Sequence, residues 1–396
     1  MDQGIRFGAA RRGSGADRVV SQQVGVSMNR RTALLGAGGT VAIAASGAAG
    51  FVLWSGAGKD AWRDAVQAIR DPIKLGLTGQ DALNELVRYA TLAANSHNTQ
   101  AWRFEIGPAT IMLLPDPTRR TPTVDPDDHH LFASLGAAAE NIVQAAPLLG
   151  LSAVPRFDSD GDGRIVVVLS SAAVMATPMA EAIPKRQCTR SLYDGQPIPA
   201  ADLETAAAAA RDDGVELLVL TERSAIDAVG ALIIEGNTTQ MGDRVYINEL
   251  KQWLRFSYAE AVSSADGLFS ATSGNPVLPG AIGRLLVDFV VTAESENKKY
   301  LAQIASSSGL AVFVTEQNDK AHWIAAGRAY QRFALQATAL GIKHAFLNQA
   351  VEVPEVRQRL AEHLGIGQRR PDLIVRFGYA EDMPSSMRRS LAEVIA

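Results

Sequence analysis

Two short segments of this 396-residue chain combine residue types that could hold a flat heterocyclic ring and a phosphate. The first spans Asn95 to Trp102, reads NSHNTQAW, and joins short hydrogen-bonding side chains to an aromatic ring. The second spans Lys185 to Arg190, reads KRQCTR, and offers three cations within six residues, a spacing suited to gripping a phosphate. Each segment also has a plain structural interpretation, as a self-satisfied loop after a helix or as a solvated basic surface.

Other segments that look like metal or nucleotide sites fail on spacing. Asp158 to Gly163 mimics a calcium loop, but the twelfth position is Leu169 instead of a bidentate Glu, so we predict a hairpin turn. Residues 56–59 lack the Ser or Thr of a phosphate-binding loop and are interpreted as a linker. His129 and His130 are adjacent, so on a helix their rings should diverge by about 100°. We predict no protein-bound metal.

Composition favours a folded chain without broad affinity for nucleic acid. The chain has 38 Lys and Arg against 42 Asp and Glu, and the formal net charge is −4. With 47% hydrophobic and 20% charged residues, and at about 100–200 residues per domain, the length predicts two compact units. The single cysteine, Cys188, cannot form an intramolecular disulfide.

The first 58 residues have the order of a targeting segment. Arg30 and Arg31 precede an uncharged, Ala- and Gly-rich run, residues 33–58. This order resembles a twin-arginine signal, so we expect export in folded form to the periplasm or cell envelope, and a cytoplasmic location if the signal is not used. The alternative is an ordinary membrane anchor, because residues 33–54 number 22, enough to span about 30 Å of hydrocarbon.

Hydrophobic periodicity predicts a chain in which helices and strands are mixed. The predicted helices are 60–70, 78–94, 127–149, 201–211 and 322–340, with a polar helical stretch up to about 296. The predicted strands are 103–106, 110–114, 154–157, 165–169, 215–220, 310–315 and 373–377. Two stretches of similar order follow each other, which favours an α+β chain of two halves.

Two of the predicted helices carry a glycine at the same register. Gly136 lies in a helix that ends at Leu149-Gly150, and Gly327 lies in one that ends at Leu340-Gly341. A glycine inside a helix costs about 1 kcal/mol relative to alanine, so the pair indicates a place where two backbones approach closely. We infer an ancestral duplication, with chance similarity between two Ala-rich helices as the alternative.

Together the motifs resemble the FMN-dependent nitroreductase superfamily, in particular its fused, Acg-like branch. Members share an Arg-x-Ser-x-Arg element, a Ser/Asn loop ending in Trp, a Gly-bearing central helix, and a Gly-Tyr pair followed by two basic residues. In this chain the elements are Arg186 to Arg190, Ser96 to Trp102, Gly327 to Gly341, and Gly378-Tyr379 with Arg388-Arg389. The resemblance implies an α+β, nitroreductase-like fold in which two related halves are fused as a pseudo-dimer around mixed or antiparallel sheets with long central helices.

The same resemblance suggests the domain boundaries. Residues 1–58 would be the signal or tether and linker, 60–180 the first half, and 181–396 the second half with a helical insertion at about 224–296. The insertion is longer than simple members carry. The aromatic residues that it holds include Trp253, Phe256, Tyr258 and Phe269. We expect it to form a lid over the flavin or, alternatively, an amphipathic segment packed on the core.

In the family two subunits share each flavin, and the resemblance implies one FMN site shared between the two halves of this chain. The residues implied to bind FMN are Asn95, Ser96, Asn98, His130, Arg186, Gln187, Cys188, Arg190, Asn348, Gln349, Arg388 and Arg389. Arginines suit the phosphate because they stay charged, and the resemblance places the turn at 346–349 beside the hydride-accepting N5 atom. No catalytic side chain is needed, because the flavin carries the chemistry.

The implied activity is two-electron transfer through bound FMN, from NAD(P)H or another electron donor to a nitro, quinone or similar small-molecule acceptor. The alternative is a non-catalytic protein that sequesters FMN under the lid. Ala101 replaces a usual Pro, and Asn348-Gln349 replaces an acidic-Gly pair, so the acceptor stays open. We expect no nucleic-acid partner, and membrane contact only through the N-terminal signal or tether.

Overall fold

The computed structural model of the chain describes Gly56 and residues 58–396. The arginine pair at 30–31 and the apolar run at 33–54 lie outside the described residues, and the interpretation of that segment stays a prediction. In the part of the chain that is described, no helix combines the length and the apolar character that crossing a membrane requires.

The N-terminal half, residues 58–180, packs a four-stranded antiparallel sheet against a long buried helix. Its sheet has the strand order β1-β2-β4-β3. Buried Trp102 and Phe104 alternate with exposed Arg103 in the first strand, the pattern of a sheet with one face on the core. The elements are α1 (Lys59–Arg70), α2 (Gly79–Thr91), β1 (Trp102–Gly107), β2 (Thr110–Pro115), α3 (His129–Ala145), β3 (Leu151–Asp158), β4 (Arg164–Ser171) and α4 (Pro178–Ala182).

The C-terminal half, residues 181–396, repeats this plan with a second antiparallel sheet of order β5-β8-β10-β9. Strands β8 and β10 are buried along their whole length. The elements are α5 (Ala200–Ala209), β5 (Val215–Leu220), α6 (Arg223–Gly242), α7 (Arg244–Trp253), β6 (Leu254–Arg255), α8 (Tyr258–Ser264), β7 (Leu268–Phe269), α9 (Gly280–Val290), α10 (Ala293–Ala305), β8 (Gly309–Thr315), α11 (Lys320–Ala339), β9 (Lys343–Phe346), α12 (Gln349–Glu352), α13 (Pro354–His363), β10 (Arg370–Gly378) and α14 (Leu391–Val394).

The central helices α3 and α11 cross at the two glycines singled out above. A Cβ atom on Gly136 would collide with the carbonyl of Ile324, and one on Gly327 would collide with the carbonyl of Ala133. Each glycine thus faces the residue three positions before its counterpart, a reciprocal contact of the kind found at two-fold axes. The predicted close approach of two backbones is confirmed, and the symmetry of the contact supports duplication over chance.

The C-terminal segment returns to the N-terminal sheet. Ile395 forms a bridge with Phe104 of β1, and the backbone N–H of Ala396 donates to the Phe104 carbonyl at 2.8 Å. Val394 is fully buried in the N-terminal core, to which Trp323 and Ile324 of α11 also belong. Each half therefore supplies side chains to the core of the other.

The predicted α+β fold of two related halves, with antiparallel sheets and long central helices, is confirmed. The residues after Asp158 form the predicted hairpin turn, with positive φ at Gly161 and Gly163 (62° and 85°). Six elements of the C-terminal half were absent from the prediction, namely β6, β7, β9, α12, α13 and α14. Strand β9 and helix α12 are only four residues long, too short for a periodic pattern to develop.

Candidate functional site

A cavity of about 450 Å³ lies where the two halves meet. The N-terminal half lines it with the loop after α2 and the first turns of α3, including Ala94, Asn95, Ser96, His97, His130 and Ser134. The C-terminal half adds residues of α6, α9, α10 and α11 and the segment after β9, including Arg190, Lys299, Tyr330, Phe346, Asn348 and Gln349. The exposed lining is more apolar than polar, as cofactor pockets usually are.

The loop from Asn95 to Gln100 adopts a backbone that L-residues rarely take. His97, Asn98 and Gln100 all have positive φ, at 47°, 54° and 53°. The Asn95 side chain accepts the N–H of Gln100 at 2.9 Å, and the Gln100 side chain donates to the Ala265 carbonyl at 2.9 Å. Strained loops persist only where surrounding contacts determine them, and such loops cluster at functional sites.

Asn98 points away from the cavity and ties three segments together. Its side-chain amide donates to the carbonyls of Gly267 and Met387, at 3.2 and 3.3 Å, and its Oδ1 accepts a hydrogen bond from Arg388 at 2.9 Å. The predicted meeting of an N-terminal amide with a C-terminal guanidinium is therefore present, but behind the cavity wall.

Arg186 and Arg388 are buried and do not line the cavity. Arg186 donates to the Leu92 carbonyl at 2.9 Å, and Arg388 donates to the Ala93 carbonyl at 3.1 Å, both just after the end of α2. Arg70 of α1 joins them, because its guanidinium donates to the Pro184 carbonyl at 2.8 Å. Burial, with the charge of Arg186, lowers the Arg70 pKa to about 9.

This buried arginine trio, Arg70, Arg186 and Arg388, has no carboxylate within salt-bridge distance among the described residues. The pKa of Arg388 is lowered by burial and then by the charges of Arg70 and Arg186. Tyr330, which lines the cavity, lies close to Arg186 and Cys188. Three uncompensated guanidinium groups behind one wall of a cavity form an arrangement that an anion would stabilise.

Two cations face the cavity itself. Arg190 makes a long side-chain contact, 3.4 Å, to the Thr272 carbonyl, and Lys299 donates to Asn275 at 3.3 Å. Burial lowers the pKa of Lys299, and the nearby charge of Arg190 adds to this effect. Lys299 lies in α10, just after the predicted insertion, and no sequence motif marks it as a cation of the site.

The remaining predicted residues divide between the cavity and its surroundings. Asn348 and Gln349 line the cavity, and the Gln349 Oε1 atom is buried without a partner among the described residues. Gln187 accepts the N–H of Met383 at 2.8 Å, and Arg389 donates its N–H to Gln100 at 2.9 Å. Cys188, half-buried, lies 3.9 Å from an Arg186 nitrogen and holds no position in the cavity wall.

The side chains of His129 and His130 are oriented differently from the prediction. We expected the rings to diverge, but their Nδ1 atoms are 3.2 Å apart and the ring planes meet at 66°. The reason is local: Asp128 has φ 63°, and the helix begins at His129, so both rings turn inward. Within the described residues no group of three metal-ligating side chains is present.

The helical insertion closes one side of the cavity, chiefly through α9. Gly283, Leu286, Val287 and Val290 of this helix line the cavity. Of the four aromatic residues predicted for a lid, only Phe256 contributes to the lining, while Tyr258 and Phe269 pack around Trp62 of α1. The apolar residues of α9 have the spacing of an ordinary packed helix, so the sequence does not predict that this helix faces a cavity.

The chain is similar along most of its length to two proteins of Mycobacterium tuberculosis (strain ATCC 25618 / H37Rv). It is 27% identical over 329 residues to "Putative NAD(P)H nitroreductase Rv3131", which covers 80% of this chain and 91% of that protein. It is 25% identical over 328 residues to "Putative NAD(P)H nitroreductase acg", which covers 79% and 95%. Both similarities are long enough to include both halves, and they support the resemblance that the motifs indicate. No family model matches the chain.

Solved structures give distant matches to about half of the chain. The FMN-dependent nitroreductase NfnB from Mycobacterium smegmatis, in complex with NADPH, is 16% identical, covers 55% of this chain and 96% of that chain, and has a TM-score of 0.36. A nitroreductase with bound FMN from Desulfitobacterium hafniense DCB-2 is 14% identical, covers 56% and 98%, and has a TM-score of 0.37.

Proposed function

We propose that this protein is an FMN-dependent oxidoreductase of nitroreductase type, which passes two electrons from NAD(P)H or another electron donor to a nitro, quinone or similar acceptor. The observation that carries the proposal is the cavity between the halves, backed by the guanidinium groups of buried Arg186 and Arg388 and of half-buried Arg70, none of them with a carboxylate among the described residues. Similarity to two proteins named as NAD(P)H nitroreductases points the same way.

The residues present fit the parts of FMN. Cofactor pockets usually measure about 300–1,000 Å³, and the cavity has about 450 Å³ with apolar walls for a ring system. Arg190, Asn348 and the loop at 95–97 supply polar groups for the edges of that ring. The phosphate, with about two negative charges, would balance the buried arginine trio, whose Arg70 and Arg186 Nε atoms lack partners. Of the residues that we assign to FMN, those that line the cavity are Asn95, Ser96, His130, Arg190, Asn348 and Gln349, with Lys299 added from the structure. We assign a supporting place behind the wall, toward the phosphate, to Asn98, Arg186, Gln187, Cys188, Arg388 and Arg389, with Arg70 added from the structure.

When bound, FMN supplies the hydride chemistry that protein side chains cannot perform. This chain's residues bind and orient it. The α9 side chains Leu286, Val287 and Val290 exclude water from one side of the cavity. Tyr330 and Phe346, whose ring centroids are 4.5 Å apart, form an aromatic part of the cavity wall. The strained loop at 95–100 fixes the N-terminal contribution, since the Gln100 side chain at its end donates to Ala265 and accepts from the Arg389 N–H of the C-terminal half.

A visible absorption spectrum of the purified full chain is the first test. We expect a yellow protein whose flavin absorbance bleaches on anaerobic addition of NADPH and returns on addition of a quinone or nitroaromatic. The matched control is Arg164→Ala, which removes a guanidinium from the surface hairpin, far in sequence from every assigned residue. A colourless protein that takes up no added FMN would contradict the proposal.

A second candidate function is FMN sequestration without turnover. The observation that favours it is the wall that α9 and α10 place over the cavity, including Val290, Val291 and Tyr300. A yellow protein that neither donors nor acceptors change would support this candidate. If this wall keeps reactants from the flavin, a variant with smaller side chains in α9 should react faster. In Leu286→Ala/Val290→Ala, flavin bleaching by dithionite and flavin reoxidation by a quinone should both be faster than in the intact chain.

We further infer that the protein is exported by the twin-arginine route. The Arg30-Arg31 pair and the uncharged run that follows it support this inference. NAD(P)H is a cytosolic donor, so an exported flavoprotein would need another electron source. Replacing Arg30 and Arg31 by lysine should leave the protein in the cytoplasmic fraction, whereas Arg11→Lys/Arg12→Lys, the control, should not. Equal fractionation of both variants would contradict export by this route.

A further inference from the structure

Four titratable side chains form a continuous row from the C-terminal sheet to the cavity wall. Asp372 Oδ1 lies 2.8 Å from His129 Nε2, and the Nδ1 atoms of His129 and His130 are 3.2 Å apart. His130 Nε2 lies 3.3 Å from Glu352 Oε1. Gln240 donates to the other Glu352 oxygen at 2.6 Å, which fixes that end of the row. Every neighbouring pair is therefore within hydrogen-bonding or near-hydrogen-bonding distance.

The row crosses the junction of the two halves. The histidines begin α3 of the N-terminal half, whereas Asp372 belongs to β10 and Glu352 to α12 of the C-terminal half. Side chains of His129 and Asp372 are 1% and 0% exposed, and only His130 and Glu352 line the cavity. One end is thus sealed inside the protein, and the other end is open to whatever occupies the cavity.

The row has two proton arrangements of equal net charge. In the first, protonated Asp372 donates to His129, whose Nδ1–H donates to His130, whose Nε2–H donates to Glu352. In the second, Asp372 is ionised, His129 carries its proton on Nε2, and His130 is an imidazolium that donates to both neighbours. Both contain the same number of protons, so two short hops carry a positive charge from the buried end to the cavity wall.

The surroundings keep both arrangements accessible near neutral pH. Burial raises the pKa of Asp372 to about 7 and holds the pKa of His129 well below its ordinary value. Burial also lowers the pKa of His130, but its hydrogen bond to Glu352 and the charge of Asp125 outweigh that effect and raise it overall. The other charged or titratable groups near the histidines and Asp372 are Asp125, Asp127, Arg357 and Arg370. Those near Glu352 are His97, Tyr246 and Tyr300, and Arg190 and Glu249 lie close to His97.

We propose that Asp372, His129, His130 and Glu352 form a proton relay that delivers one proton to the cavity for each hydride passed to the acceptor. This inference rests on the proposed function for its electron source, the reduced flavin. The row itself exists independently of the flavin, and its proton arrangements can be measured in the protein without a substrate.

For a quinone acceptor the step balances as follows. The quinone takes a hydride, two electrons and one proton, from the reduced flavin, and one of its oxygens becomes O–H. The His130 imidazolium gives its proton to the second oxygen, so the products are the hydroquinone and the oxidised flavin. His130 is then neutral, and the row regains one proton at its open end, where His130 and Glu352 line the cavity, before the next turnover. Asp372 and His129 act through His130 and touch neither flavin nor acceptor.

Infrared spectroscopy tests the buried end of the row directly. We expect a protonated-carboxyl band in the full chain that fades as the pH rises through about 7 and is missing from Asp372→Asn at every pH. In His129→Gln the band should persist to higher pH, because Asp372 then has no histidine to take its proton. An identical carboxyl region in the wild-type and Asp372→Asn spectra would overturn the relay, and this readout does not depend on flavin.

Stopped-flow reoxidation tests delivery to the cavity. Holoenzyme reduced by NADPH is mixed with benzoquinone in H₂O and in D₂O, for the wild type, His129→Gln and Asp372→Asn. The control is His322→Gln, since His322 forms a comparable pair with Asp319 at 2.8 Å on the surface. General acids typically contribute 10²–10⁴-fold, so we expect at least tenfold slower reoxidation and a changed solvent isotope effect in the two relay variants only.

The outcomes separate the relay from the proposed function. Unchanged flavin content with slowed reoxidation supports the relay. Reoxidation rates and isotope effects equal to those of His322→Gln would overturn it, even if infrared spectra show the protonated Asp372. A wild-type chain without flavin would contradict the proposed function, and the infrared comparison would still decide whether the row holds a mobile proton.

Discussion

Buried guanidinium groups are the single residues on which FMN binding depends most directly. Arg186 and Arg388 are 2% and 5% exposed, and their hydrogen bonds go to backbone carbonyls and Asn98 instead of carboxylates. Hydrogen bonds to charged groups contribute about 1.5–3 kcal/mol. We therefore expect Arg186→Ala and Arg388→Ala each to weaken FMN retention by at least about 1.5 kcal/mol, or more than tenfold in Kd, measured by flavin fluorescence.

Both arginines also hold the carbonyls after α2, so a loss of folding must be separated from a loss of binding. Thermal unfolding of flavin-free protein in the presence of inorganic phosphate gives that separation. We expect phosphate to raise the Tm of the wild type and of Arg164→Ala, but not of the two arginine variants. Undiminished flavin content in both variants would refute the phosphate assignment.

Asn98 links the two halves at a position outside the cavity. Its side chain accepts from Arg388 at 2.9 Å and donates to the carbonyls of Gly267 and Met387. Asn98→Ala should lower flavin occupancy, because Arg388 and the insertion lose a common anchor. Exposed Asn248→Ala serves as the control. An unaltered flavin spectrum in Asn98→Ala would show that the link is not needed for binding.

His344 makes the stability of the chain sensitive to acid. Burial, with the charges of Arg186 and Lys343, lowers its pKa to about 3, whereas in the unfolded chain the value is about 6.5. Because the folded pKa is the lower one, this contribution is complete above about pH 6.5 and is lost as the pH falls toward 3, at up to about 1.4 kcal/mol per pH unit.

We therefore expect denaturant unfolding of His344→Gln to depend less steeply on pH between about 6.5 and 4 than unfolding of the wild type. The control is His363→Gln, which removes an exposed histidine. Parallel pH profiles for the wild type and His344→Gln would mean that other groups account for acid sensitivity.

At the scale of elements, the crossing of α3 and α11 depends on two missing side chains. A Cβ at Gly136 or Gly327 would overlap a backbone carbonyl of the opposite helix, where no side chain can move aside. Gly136→Ala and Gly327→Ala should each destabilise the fold by about 1–3 kcal/mol or more, although alanine is the better helix former by about 1 kcal/mol. Denaturant midpoints measure the change.

Gly242 provides the matched control. It lies at the end of α6 with no heavy atom near the position of an added Cβ, so Gly242→Ala should be neutral or slightly stabilising. If Gly136→Ala matched Gly242→Ala, the two central helices would not approach as closely as described.

Most long elements could be predicted because their patterns extend over several turns or strand repeats. Strand β5 has the predicted bounds, and α11 differs by two residues at its start. Of the elements after α11, β10 was predicted, whereas β9 and α13 were missed for two physical reasons. Strand β9 is four residues long, and α13 has only three buried residues, so neither shows a sustained period.

The candidate site was predictable where local spacing carries the information. The loop at Asn95 and the residues Arg190 and Asn348 line the cavity, as the motifs indicated. Lys299 and Arg70 could not be found in this way, because tertiary packing brings them to the site from α10 and α1. The ring contact between His129 and His130 depends on the positive φ of Asp128, which spacing on a regular helix does not reveal.

At the scale of the whole molecule, the pseudo-two-fold relation between α3 and α11 would place a second flavin site at the position that corresponds to the cavity. Gly136 and Gly327 correspond, so residue numbers differ by about 191 between the two helices. Cavity residue Ala137 then corresponds to Arg328, and Tyr330 corresponds to Ala139. On the other side of the crossing, the positions that correspond to these two cavity residues are therefore occupied by a cation, Arg328, and by the methyl group of Ala139.

The symmetry-related position holds an ion-pair cluster that lines an open pocket on the surface, whose residues are Arg211, Asp212, Asp213, Arg328 and Arg332. Arg328 contacts Glu140 at 3.0 Å, and Arg332 contacts Glu140 at 2.9 Å and Asp212 at 2.6 Å. Glu140 is 1% exposed, so removing one partner would leave a buried charge uncompensated. The pocket beside this cluster is open and lined by charged side chains, so it offers no apolar walls for a flavin ring. Its guanidinium groups, unlike those of the buried arginine trio, already have carboxylates.

We therefore expect one FMN per chain, although the fold has two related halves. Titration of flavin-free protein with FMN, followed by calorimetry, should give a stoichiometry of 1.0, and Arg328→Ala/Arg332→Ala should lower the unfolding midpoint without adding a second site. Two FMN per chain would mean that the ion pairs open readily and that the duplication preserved both sites. Half a flavin per chain would instead place the site between two molecules, which the arrangement of Asn98 beside Arg388 within one chain argues against.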